Sequence, residues 1–231
     1  MLQDTPAAPD RRRDRIPLWV KLGYTAFVAV LVPYYLHAYG PTNFLYFCDV
    51  ALLLTLVALW RESALLASMS AVGILLPQAL WMTDFLCRCF GVPLTGMTDY
   101  MFDPQWPLVT RGLSFFHFWL PLVLVWLVRR LGYDRRAWKY WTFLAWALML
   151  VCYFLMPAPP APDDRPKLVV NINYVYGLSD KRPQDWMPSG TYFGLLLIVY
   201  PLAICGPAHL ALLRFFPQVR VSGDSLGDMI V

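Results

Sequence analysis

Apolar residues gather into six long runs along the chain, at about 16–39, 43–60, 64–86, 108–131, 137–156 and 190–216. A helix rises 1.5 Å per residue, so about 20 apolar residues cross the roughly 30 Å of bilayer hydrocarbon. The pattern predicts an all-α fold, a bundle of six transmembrane helices. Pro33, Pro77, Pro121 and Pro201 fall inside runs, where each removes a backbone hydrogen bond and favours a kink. Two polar connections are long, at about 87–107 and 157–189. The second opens with PAPPAPDDRP, an extended segment that cannot be helical. Within it Leu168–Tyr176 is apolar and β-branched, with Asn171, Asn173 and Tyr174 interspersed. That stretch suits a short strand, a surface loop, or a segment dipping into the mouth of the bundle.

Polar residues inside the runs are few and gather at one end. The second run carries Cys48 and Asp49, and the fourth carries His117. An ionisable group in hydrocarbon is costly unless it faces a protein interior or a wet cavity, so it marks a functional-site candidate. Counted from the outer ends of their helices, Cys48 and Asp49 lie about 8–9 Å deep and His117 about 13 Å. His37, Asn43, Asp84, Arg111 and Ser114 fall in the same outer third, whereas His209 lies near the inner end. Arg111, Ser114 and His117 recur at a spacing of three and share one helix face.

Charge supplies the orientation. Of 19 Lys and Arg, 13 lie on one side, before or early in the first run, between runs two and three, at or near the turn between four and five, or at and beyond the end of six. The positive-inside rule puts those loops and both termini in the cytoplasm, with residues 1–15 and 217–231 as tails around a 16–216 membrane domain. Composition agrees. The chain of 231 residues is 58% hydrophobic and 15% charged, whereas a soluble domain is about a quarter charged. Basic residues beside membrane runs read as topology signals, so no nucleic-acid partner is expected. Five cysteines are present, and Cys87-Arg88-Cys89 is too small a set for structural zinc. No P-loop, dinucleotide fingerprint, haem motif or zinc-protease spacing occurs, so neither cofactor nor metal is predicted.

The stretches FCDVALLLTLVALW, RGLSFFHFWLPLVLVWLVRRLGYDRRAW and NINYVYGLSDKRP together resemble the YwaF-like bacterial integral membrane proteins. These are six-span proteins with a Cys-Asp pair in span two, a His in span four and an Asn-Tyr segment before span six. Their wider superfamily takes in cysteine-dependent phospholipid acyltransferases and, more distantly, the androgen-induced-gene hydrolases of fatty acid esters. The resemblance implies a bacterial inner (plasma) membrane location, membrane lipids as partners, and Cys48, Asp49, His117 and Asn173-Tyr174 as site residues. Where the family often has a His two residues before the Cys, this chain has Tyr46.

Three readings stay open. In the first, the protein is a lipid acyl-ester hydrolase or acyltransferase. Cys48 is its nucleophile, His117 the base, and Asp49 or Asp84 orients the imidazole. Arg111, Ser114, Asn173, Tyr174 and Asp84 then face the substrate. In the second, it is a small transporter or lipid-binding protein with a titrating Asp49–His117 pair. In the third, the polar residues brace helices, as hydrogen bonds between membrane helices do.

Overall fold

The computed structural model describes residues 16–92, 94–165 and 168–219, and it is all-helical. The eight α-helices are α1 (Leu18–Tyr39), α2 (Phe47–Arg61), α3 (Ala64–Cys89), α4 (Leu108–Ser114), α5 (Phe116–Leu131), α6 (Ala137–Leu155), α7 (Ser189–Val199) and α8 (Gly206–Phe215). α4 and α5 form one bent rod, as do α7, a π-helical turn at Tyr200–Cys205, and α8. Five rods are long and apolar enough to cross a membrane: 18–39, 64–89, 108–131, 137–155 and 189–215. The chain is therefore a multi-pass membrane protein. The run at 43–60 behaves differently. Gly40, in the left-handed region, ends α1, and Pro41–Leu45 coils into a 3-10 turn. Only 15 residues remain for α2, a length of about 22 Å.

α3 is the axis of the bundle and the most buried of the five rods. From Ala67 to Ile74 every residue is buried, as a helix enclosed on all sides requires. α2, α5, α6 and α8 pack around it. The contact with α6 depends on Gly73, where a Cβ would stand 1.8 Å from the Trp141 ring. Small residues allow such close approach in membranes. The same point is tied by hydrogen bonds: Trp141 Nε1 donates to Tyr200 Oη (3.0 Å), and Tyr200 Oη donates to the Gly73 carbonyl (3.0 Å).

Prolines bend the rods where neighbours can repair the backbone. Pro201 has no N–H for the Leu197 carbonyl four residues earlier, and Trp146 Nε1 donates there instead at 2.8 Å. Trp138 Nε1 donates to the Pro201 carbonyl at 3.1 Å. Pro121 likewise lacks a donor for the His117 carbonyl, and the α4–α5 bend falls at Phe115, just before that turn.

At one end of the bundle, Asp134 holds the α5–α6 turn. Its carboxylate accepts from Arg136 Nε (3.1 Å), Nη2 (2.8 Å) and backbone N (3.0 Å), while its own N–H donates to Ser68 Oγ. Burial works against the charge of Asp134. The Arg136 hydrogen bonds outweigh it and hold the carboxyl below its usual range. Residues 217–219 join this turn, with Tyr133 N–H on the Pro217 carbonyl and Val219 N–H on the Tyr133 carbonyl. Of the tails expected at 1–15 and 217–231, only 217–219 fall among the described residues.

Candidate functional site

The far end of the bundle gathers the polar residues singled out above. The segment at 168–176 dips into the bundle, and of the three shapes open to it the structure takes this one. Val170, Asn171, Ile172, Asn173 and Val175 are buried around a 3-10 turn at Ile172–Tyr174. Asn171, Asn173 and Tyr174 all have positive φ, a conformation that Asn tolerates better than most residues. Asn173 reaches across to the start of α2. Its Oδ1 accepts the Phe47 N–H at 2.9 Å, and its Nδ2 donates to the Leu45 carbonyl at 2.9 Å and to Cys152 Sγ at 3.6 Å. It supplies the N-terminal cap that Tyr46, at the cap position, does not provide. With its amide hydrogens committed in this way, Asn173 works as a clamp on the backbone. Tyr174 is partly exposed, and its carbonyl accepts from Tyr192 Oη at 3.1 Å.

This clamp fixes Cys48 and Asp49 as the second and third residues of α2. The Cys48 thiol is half-buried and reaches Asp49 Oδ2 at 3.9 Å. Asn43, from the preceding 3-10 turn, donates to the same oxygen at 3.3 Å. Asp49 is only 3% exposed, yet its Oδ1 has no hydrogen-bond partner. The positive end of the α2 dipole favours a carboxylate at this position.

His117 is the second residue of α5. Its Nδ1 meets the Ser114 carbonyl at 2.7 Å. A carbonyl only accepts, so Nδ1 carries the proton and Nε2 is the accepting nitrogen. The ring stacks on Trp81 at 5.2 Å and touches Phe116. Ser114 Oγ in turn pairs with Tyr35 Oη at 3.1 Å. Among the described residues, no hydrogen bond or ion pair joins His117 to Cys48 or Asp49; each belongs to its own local set.

Asp84 lies elsewhere in this end. Its carboxylate accepts from the backbone N–H groups of Thr95 (2.6 Å), Gly96 (3.2 Å) and Thr98 (2.9 Å), and from both threonine hydroxyls. It anchors the loop that follows α3 and makes no bond to His117. The Arg88–Asp99 ion pair at 3.2 Å fastens the same loop. Arg111 donates to the Met101 carbonyl at 3.2 Å, while its buried Nε has no partner.

Three further residues belong to this region. Gln78 is 4% exposed in the middle of α3, and its Oε1 lacks a partner. A polar amide inside an apolar run, directly after Pro77, is the same signal that marks Asp49. Trp81 supports His117, and Tyr35 supports Ser114, but aromatic residues are so frequent in this chain that neither stood out. All five cysteines are free thiols. No group of three His, Cys, Asp or Glu side chains able to hold a metal ion occurs among the described residues. Comparison of the chain with family models, with curated proteins and with solved structures finds no match, so the role of these residues has to be read from their own arrangement.

Proposed function

We propose that this multi-pass protein is a lipid acyl-ester hydrolase or acyltransferase that uses Cys48 as its nucleophile. Both chain ends are cytoplasmic in this reading, α2 completes a sixth crossing, and the site opens toward the outer leaflet of a bacterial inner membrane. The observation that carries the proposal is the Cys48–Asp49 pair: a half-buried thiol at the first turn of a helix, 3.9 Å from a carboxylate oxygen. A thiol attacks as thiolate and needs a neighbouring proton acceptor.

In the reaction the S–H proton passes to Asp49 while sulfur attacks the ester carbonyl. A C–S bond forms, the ester C–O bond breaks, and the leaving alkoxide takes up a proton. Water then cleaves the thioester, or a second alcohol takes the acyl group. His117, with Nε2 able to accept, serves as a second proton carrier. Arg111 faces the anionic part of the lipid, and Ser114 and Tyr174 line the approach. Lipid would reach the site through the membrane-facing side of the bundle.

The test uses purified protein in lipid nanodiscs and a fluorogenic acyl ester. Cys48→Ala should lower turnover at least ~100-fold, the scale of losing a nucleophile and its acid–base chemistry. An acyl adduct should map to Cys48 rather than to the exposed Cys89. Full turnover in Cys48→Ala would end the thiol mechanism.

A second reading rests on the unpartnered Oδ1 of Asp49 and on the lack of any bond from His117 to Cys48. It describes a carrier in which the Asp49 carboxyl takes and releases a proton with its cargo. Its signature is Asp49-dependent proton flux in liposomes that persists in Cys48→Ala.

A further inference from the structure

The opposite end of the bundle holds a separate feature that the proposed chemistry does not use. A groove of about 320 Å³ runs between α6 and the bent rod α7–α8, lined by Trp138, Leu202, Gly206, Pro207, His209 and Leu210. Its origin is local. The π-helical turn at Tyr200–Cys205 widens the rod, and Pro207 follows with no N–H to tighten the next turn. Gly206 leaves the floor without a side chain, and among the atoms near it only the Pro201 carbonyl would meet a Cβ, at 3.6 Å. His209 is held in place: Nδ1 pairs with Tyr133 Oη, and the ring stacks on Trp138 at 5.6 Å.

The walls face outward and are apolar, with Leu202 at 61% and Leu210 at 65% exposure. On a rod that crosses the bilayer, such a surface meets acyl chains rather than water. Charge marks one end of the groove. Arg214 lies one helical turn beyond Leu210 on the same face of α8, about 6 Å further along the axis. Lys139 follows Trp138 in the first turn of α6. Both cations are exposed, and neither enters an ion pair among the described residues. An apolar slot with Arg214 beyond one wall and Lys139 next to the other, both outside any ion pair among the described residues, matches a molecule with a hydrocarbon tail and an anionic head.

We infer that this groove is a binding site for one anionic phospholipid, its acyl chain along Leu202, Gly206 and Leu210 and its phosphate at Arg214 and Lys139. Each exposed cation near a membrane surface contributes about 1 kcal/mol of attraction to anionic lipid. Two of them acting together correspond to roughly a 30-fold preference.

The experiment is native mass spectrometry of the full chain from nanodiscs of equal phosphatidylglycerol and phosphatidylcholine. A photoreactive group in the acyl chain maps the contact. Wild type should retain one phosphatidylglycerol in clear excess, with crosslinks to residues 202–210. Arg214→Gln with Lys139→Gln should retain both lipids equally, still crosslinked to the groove. Gly206→Leu, which fills the floor, should lose the retained lipid and the crosslinks. Arg61→Gln, which removes an exposed cation at the end of α2, should change nothing. Circular dichroism confirms that each variant is folded, and the double Gln variant keeps the test alive if Gly206→Leu is not. Equal retention of both lipids by wild type would overturn the site, as would crosslinks spread over all rods, or a second copy of the chain occupying the groove.

Discussion

Two aspartates in one end of this bundle are almost closed to solvent, and they live in opposite circumstances. Asp84 accepts from three backbone N–H groups and two threonine hydroxyls. Asp49 accepts from one amide and one thiol and leaves Oδ1 without a partner. Their positions explain part of the contrast. Asp84 lies near the C-terminal end of α3, where the helix dipole opposes a negative charge, so its stability must come from donors in the loop. Asp49 sits at the favourable end of α2 and needs fewer. A buried carboxylate with every lone pair occupied is architecture, whereas one with an open oxygen is available for chemistry.

The contrast can be broken by mutation, and the largest effect belongs to Asp84. Asp84→Ala strands several buried donors and should destabilise the protein by about 3 kcal/mol, read as a lowered thermal midpoint in detergent. Asn173→Ala removes the clamp on α2 and should cost about 1–2 kcal/mol, within the range for lost helix caps. It should also slow ester turnover more than a distant variant of equal stability does. Asp134 gives a pH test on a third buried aspartate. Its folded-state pKa is depressed by Arg136, so its stabilising contribution is present above the unfolded value of about 3.9 and is lost as pH falls through the folded value. Wild type should exceed Asp134→Asn in thermal midpoint at pH 7, and the gap should close on acidification below about pH 4. Asp49→Asn should stay within about 0.5 kcal/mol of wild type, because the amide keeps one acceptor oxygen for Asn43 and Cys48, while turnover or proton flux falls. If Asp49→Asn destabilises as much as Asp84→Ala, Asp49 is a brace and the contrast dissolves.

The sequence carried the architecture well where length and hydropathy decide it, and five of the six apolar runs emerge as rods long enough to cross a bilayer. The run at 43–60 shows the limit of that reasoning. Its composition is apolar, but Gly40 and Pro41 spend its opening on a turn and leave α2 short. The gathering of Cys48, Asp49, Ser114 and His117 at one end followed from counting residues inward. Which of them touch did not, because rotation about each helix axis is set by packing. Gly73 against Trp141 is such a determinant, and no pattern along the chain announces it. The roles of Asp84 and Asn173 were hidden for another reason. The donors to Asp84 lie 11–14 residues away and the backbone groups that Asn173 clamps 126–128, and a polar side chain looks the same whether it will bind backbone or substrate.

That last separation has a consequence for biosynthesis. The first turn of α2 leaves the ribosome with its cap still unmade, since Asn173 lies 126 residues downstream of Phe47. At 5–20 residues per second the missing clamp follows roughly 6–25 s later. Through that interval Cys48 and Asp49 are already in the chain but not yet in their final geometry. The Cys48–Asp49 pair is clamped only once four of the five long rods have been made, so a truncated or stalled chain carries the two residues without the clamp that fixes them.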